Sequence, residues 1–157
     1  MSVPSKPVSA SRVIMTELVL PSHTNSIGSI FGGQIMSWID IAGAIAAQRH
    51  SNKEVVTASI DRLDFVAPVY KGWVVNLRAS VNFTSRTSME VGVRVDAEDP
   101  KTGETFHTAS AYCTFVALGQ NGKPITIPAL ILESEDDQRR FAAAKERRAQ
   151  RLANKAK

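Results

Sequence analysis

With a single cysteine, Cys113, the chain cannot form an intrachain disulfide, so its fold must rest on a packed core and a reducing compartment suits it. The histidines are equally scarce. His23, His50 and His107 are scattered without metal-ligand spacing, and none stands beside Cys113 in a nucleophilic pairing. No metal or separate cofactor is therefore expected. Aromatic residues make up only 6% of the chain, and the basic C-terminal stretch contains just Phe141, which gives no stacking platform for nucleic acid. Long apolar runs are missing too. The longest is interrupted by Asp40 and is too short for a membrane span. The segment Met1–Ser11 lacks the apolar core of a signal peptide and reads as a disordered leader. These absences point to a cytoplasmic protein with neither a membrane nor a nucleic-acid partner.

What is present is an ordinary globular composition, 43% apolar and 22% charged over 157 residues, enough for one domain with a real core. The net charge of +4 divides unevenly: the segment from Gln138 to Lys157 carries +7 and the rest −3. Acids at Glu133, Glu135, Asp136 and Asp137 followed by Arg139 and Arg140 suit the dipole of a solvated helix. The boundaries read from this are a leader over 1–11, a single domain over 12–132 and a basic helical tail over 133–157.

Within the domain, Arg12 to Leu20 reads as a strand, and a helix runs from about Gly33 to His50. Strands follow over Val55–Val66, Trp73–Phe83, the stretch beginning at Met89, and Glu104–Leu118. Trp73, Val75, Leu77, Ala79, Val81 and Phe83 alternate with polar residues and are expected on one face. Short turns at Ser85–Ser88 and Asp99–Gly103 imply an antiparallel meander. Ile35, Trp38, Ile39, Ala42 and Ala46 form a stripe at helical spacing. The class is α+β, with a long helix wrapped by a curved antiparallel sheet.

Between Gly33 and Ala47 only Asp40 is charged. Burying a carboxylate costs several kcal/mol or more unless it is compensated. Asp40 thus either sits on a wet helix face or is put to use. Small neighbours at Ser37, Gly43, Ala44 and Ala47 would leave space beside it. Gly32 and Gly33 stand at the helix start, where backbone amides are unpaired and partly positive. An amide-lined anion site and a carboxylate together suit acyl-transfer hydrolysis; the glycines alone also suit a simple turn. Asn25 precedes them as either a polar ligand or a turn residue.

The run from Pro21 through Asn25, Gly32-Gly33 and Asp40 to Ala44 resembles the signature of hotdog-fold acyl-coenzyme A thioesterases, the subgroup of bacterial acyl-CoA hydrolases and the brain cytosolic hydrolase of mammals. Val55–Ile60, Asp64–Val69, Thr84–Val91, Cys113–Ala117 and Ile125–Pro128 extend the resemblance over Arg12 to Arg148. It implies two subunits joined edge to edge, with active sites at their interface and three dimers forming a hexamer. It also implies roles: Asp40 activates water or attacks the thioester, Asn25 of the second subunit holds the carbonyl or the water, and Gly32 and Gly33 support the oxyanion. Ser85, Arg86, Thr87 and Ser88 meet coenzyme A, which enters as substrate and leaves as product. Ile30, Phe31, Trp38 and Phe65 are expected to wall the acyl tunnel. The competing readings are a non-catalytic acyl-CoA sensor, a hydratase of the same fold, for which no histidine–carboxylate pair is evident near Asp40, and nucleic-acid binding by the tail.

Overall fold

The computed structural model describes residues 3–155. Its central helix, α1 (Gly32–Ser51), starts at Phe31 and stops at Asn52, which takes the left-handed conformation of a helix C-cap. Five strands form one antiparallel sheet: β2 (Val13–Leu18), β3 (Glu54–Phe65), β4 (Val74–Thr84), β5 (Ser88–Glu98) and β6 (Thr105–Leu118). Their order is β2-β4-β5-β6-β3, which leaves β2 and β3 at the edges. Helix α1 packs against all five strands. Its stripe of Ile35, Trp38, Ile39, Ala42 and Ala46 is buried with Val75, Leu77, Val91, Val95 and Phe115 from the sheet. The close approach needs a glycine at 43, where a Cβ would lie 2.9 Å from the Phe115 ring.

The alternation along β4 holds through Val75, Leu77, Ala79 and Val81, then fails. Val81 pairs with Val91, but Phe83 pairs with Glu90, so Asn82 is an inserted residue. One extra residue flips every later side chain. Phe83 therefore leaves the expected face and packs on the outer side, its ring 4.9 Å from Phe141 of helix α2 (Glu135–Lys155).

The leader is ordered from Lys6 onward, contrary to the sequence reading. Strand β1 (Lys6–Pro7) pairs in parallel with β7 (Leu130–Ile131), and a 3-10 turn covers Val8–Ser11. The Lys6 amine donates to the Arg49 carbonyl, 3.1 Å away, and to the Asn52 side chain, supplying donors to the C-terminal end of α1. The Ser11 hydroxyl is buried and accepts the Val81 N–H at 2.9 Å, beside the β4 bulge. This order comes from contacts dozens of residues away, which a Pro- and Ser-rich stretch without periodicity does not announce. Met1 and Ser2 lie outside the described residues.

Helix α2 opens on a reciprocal cap. The Asp137 N–H donates to Ser134 Oγ, while Asp137 Oδ2 accepts the Glu133 N–H. It then crosses the outer face of the sheet. Arg147 donates to both oxygens of Glu90 at 2.8 and 2.9 Å, and Arg151 donates to Asp61 at 2.8 Å. The tail that composition alone marks as a solvated or polyanion-binding helix uses these two cations against the sheet.

Candidate active site

Asp40 is half-buried on α1, and its Oδ1 accepts a 2.6 Å hydrogen bond from the Thr57 hydroxyl of β3. A charge-assisted bond of this length orients the carboxylate and leaves Oδ2 free for a water or a substrate. Thr57 lies within the Val55–Ile60 stretch of the resemblance, but nothing in the sequence marks it as a partner of Asp40. A threonine in a strand reads as a β-branched strand former, and its contact lies 17 positions away. The space expected beside Asp40 is narrower than the small residues suggest. Phe115 fills the Gly43 side, and Ala47 is buried, which leaves Ser37 and Ala44 as the small neighbours not fully covered.

At the start of α1, the Phe31 carbonyl accepts the amides of Gln34 and Ile35 at 3.0 and 3.4 Å. The amides of Gly32 and Gly33 have no acceptor among the described residues. Gly32 lies against Phe65, whose ring would stand 3.3 Å from a Cβ, whereas Gly33 faces open space. Gly33 and Asp40 are two turns apart, ~10 Å along the axis at 1.5 Å per residue. The amide and the carboxylate of one chain thus do not both reach one carbonyl.

Asn25 organises the loop before the helix. Its Oδ1 accepts the Ile27 and Ser29 amides at 3.1 and 3.2 Å, and its Nδ2 donates to the Ser29 hydroxyl at 2.8 Å. Within one chain it is a turn residue with the second Nδ2 proton still available. Ser85 to Ser88 form the β4–β5 turn: the Ser85 N–H donates to the Ser88 carbonyl at 2.8 Å, and their hydroxyls lie 2.6 Å apart. Arg86 is exposed there, and Thr87 is half-buried. Of the expected tunnel walls, Trp38 is core and packs edge-on against His23, while Phe31 and Phe65 are exposed.

His50, in the last turn of α1, is buried, and burial lowers its pKa. Its Nε2 bonds the Pro128 carbonyl at 2.8 Å. His107 meets Asp96 at 3.3 Å on the outer face, on the opposite side of the sheet from α1. Burial, reinforced by Asp40 and Glu90, pushes the Cys113 thiol up to about 12, which removes it as a nucleophile.

The thioesterase superfamily model matches residues 27–104. The uncharacterized acyl-CoA thioester hydrolase YkhA of Bacillus subtilis is 42% identical over 127 residues, covering 81% of this chain and 74% of that one. The chain belongs to the thioesterase superfamily. A solved apo-hexameric acyl-CoA thioesterase superposes with a TM-score of 0.94 at 41% identity, over 98% of this chain and 99% of that one, which makes the fold the hotdog fold. The acyl-CoA hydrolase of Staphylococcus aureus, solved with butyryl coenzyme A, coenzyme A and coenzyme A disulfide, superposes at 0.90 with 34% identity, over 98% of this chain and 93% of that one. Of the mammalian cytosolic acyl coenzyme A thioester hydrolases it matches, the chain spans about two-fifths of the length. Structures of the Staphylococcus enzyme also exist with alanine replacing one asparagine, one aspartate and one threonine. Those positions are separated by 15 and 17 residues, the separations of Asn25, Asp40 and Thr57 here.

Proposed function

We propose that this superfamily member hydrolyses acyl-CoA thioesters to a free acid and coenzyme A. The observation that carries this is the Thr57–Asp40 hydrogen bond, which presents an oriented carboxylate at the one charged position between Gly33 and Ala47. Asp40 is the general base: Oδ2 takes a proton from water as its oxygen adds to the thioester carbonyl, and the thiolate leaves and is protonated. The Gly33 amide, with the positive end of α1, receives the oxyanion. Because Gly33 and Asp40 of one chain stand ~10 Å apart along the helix, each site takes its halves from two copies. Asp40 and Thr57 come from one, and Asn25, Gly32 and Gly33 from the other.

The pairing edge is β3, whose twelve residues carry the exposed Val56 and Phe65. Assembly of such dimers into a hexamer is supported by the hexameric thioesterase that superposes on the chain. Ser85 to Ser88 offer hydroxyls and the Arg86 guanidinium to the phosphates and pantetheine of coenzyme A. Coenzyme A acts only as part of substrate and product. A cytoplasmic setting, where acyl-CoA is found, fits the mammalian relatives named cytosolic.

The test is a panel of acyl-CoA esters of increasing chain length, read by thiol release with a thiol-reactive dye. Turnover of at least one ester supports the reading. Tight binding of esters with no thiol released overturns it in favour of a non-catalytic acyl-CoA sensor.

A further inference from the structure

Thr57 and Asp61 lie four residues apart on β3, so in a regular strand both would point to the same face. They do not. Thr57 pairs with Phe115, whose side chain is in the core, whereas Ser59 pairs with Thr114, so the strand bulges at Ala58. Thr57 therefore faces α1 and Asp40, and Asp61, opposite Tyr112, faces α2. A second irregularity follows between Asp61 and Asp64, with Arg62 in a left-handed conformation at φ 49°. It returns Phe65 to the inner side against Gly32. Asp61 is thus the outward-facing point between two bulges of β3, where the ladder to β6 is interrupted on either side.

Helix α2 reaches this point. Phe141 packs on Phe83 of β4, and Arg147 binds the buried Glu90 of β5 through both oxygens. The Arg147 guanidinium lies 3.6 Å over the Tyr112 ring of β6, and Arg151 donates to Asp61 of β3 at 2.8 Å. The helix spans the sheet and ends its grip on the strand that carries the partner of Asp40.

We propose that α2 is a strap whose last clamp, Arg151 on Asp61, fixes β3 so that Thr57 holds the Asp40 carboxylate in its reactive orientation; Arg151 and Asp61 are positioning residues that act through Thr57. This rests on the thioesterase reading above. The ion pair is half-exposed, so its loss leaves the fold standing. What it changes is the precision of a strand, to which reaction geometry is sensitive.

The experiment compares the full-length wild type with Arg151→Gln, Arg151→Lys, Thr57→Ala and the Arg151→Gln/Thr57→Ala double variant. It follows acyl-CoA turnover together with backbone hydrogen exchange of residues 54–65. Arg151→Gln is expected to lower kcat about fivefold with KM within about twofold, and to raise exchange in β3 but not in α1. Lysine, which keeps a donor to Asp61, restores most of the rate. The double variant is no slower than Thr57→Ala alone, since both act on one contact. Unchanged kcat and exchange in Arg151→Gln, or losses that multiply in the double variant, overturn the strap. A wild type that releases no thiol overturns the thioesterase reading only, and the exchange measurement then decides whether Arg151 clamps β3.

Discussion

The Thr57 hydroxyl has one acceptor, Asp40 Oδ1, and no other side-chain partner among the described residues. A hydrogen bond to a charged group is worth about 1.5–3 kcal/mol, and 1.4 kcal/mol is tenfold in rate. Thr57→Ala should therefore lower kcat about tenfold or more, while Thr57→Ser, which keeps the donor, should stay within a few-fold of wild type by steady-state kinetics. Cys113, buried with its pKa pushed up to about 12, should not react with a thiol-reactive dye until the protein is denatured. Thiol release in the native enzyme then reports coenzyme A alone.

His50 gives a pH dependence of defined sign. Its pKa is lowered by burial, so the unfolded chain binds the proton more readily than the folded one. Stability from this residue is full above the ordinary value near 6.5 and is lost as pH falls from there toward the lowered folded value. Denaturant midpoints measured between pH 7 and 5 should fall for wild type and fall less for His50→Gln, which can still donate to the Pro128 carbonyl.

Among the elements, the central helix and the meander were readable because their apolar residues recur at 3.6 and at 2. Helix α1 begins and ends within a residue or two of the expected limits. The bulges were not readable, because inserting Asn82 or Ala58 leaves composition and local alternation looking intact. The only sign is the mismatch between partner strands, which is a tertiary fact. The same bulges move Phe83 outward and separate the faces of Thr57 and Asp61, so part of the site's support was hidden with them. Of the candidate site, Asn25, Gly32, Gly33 and Asp40 stood out by charge and backbone freedom, but the hydrogen-bond partner of Asp40 did not.

The buried ion pair between β5 and α2 gives an asymmetric expectation. Glu90 is 3% exposed and Arg147 26%. Arg147→Ala strands a buried carboxylate with Asn82 as its remaining side-chain donor. Glu90→Ala leaves a guanidinium that water can reach. Removing one partner of a buried pair costs about 3–5 kcal/mol. Arg147→Ala should approach that range in urea unfolding and exceed Glu90→Ala. Equal losses would show that burial of Glu90 is not what sets the cost.

At the scale of the molecule, one chain leaves too much apolar surface uncovered to be the working unit. Met36 and Ile41 on α1, Val56 and Phe65 on β3, and Phe31 at the helix start are all exposed. Exposed apolar patches and a long unpaired edge strand mark association surfaces. The proposed division of the site between Gly33 and Asp40, ~10 Å apart along α1, makes the same demand from chemistry. The assembled protein should elute at twice the monomer mass or a multiple of it, and specific activity should fall as dilution dissociates it. Mixing Asp40→Asn with Asn25→Ala subunits should restore activity, because some interfaces then contain one intact half from each.

The proposed role of Asp40 as general base is open to a single kinetic comparison. The most direct measurement is kcat of Asp40→Asn on the best acyl-CoA substrate, with assembly state and coenzyme A affinity measured on the same preparation. The substitution keeps the size of the side chain and its bond to Thr57 but removes the proton acceptor. General-base catalysis contributes about 10²–10⁴. A loss of that size, with assembly and coenzyme A binding unchanged, is the expected result; a near-wild-type kcat would mean that Asp40 is not the base.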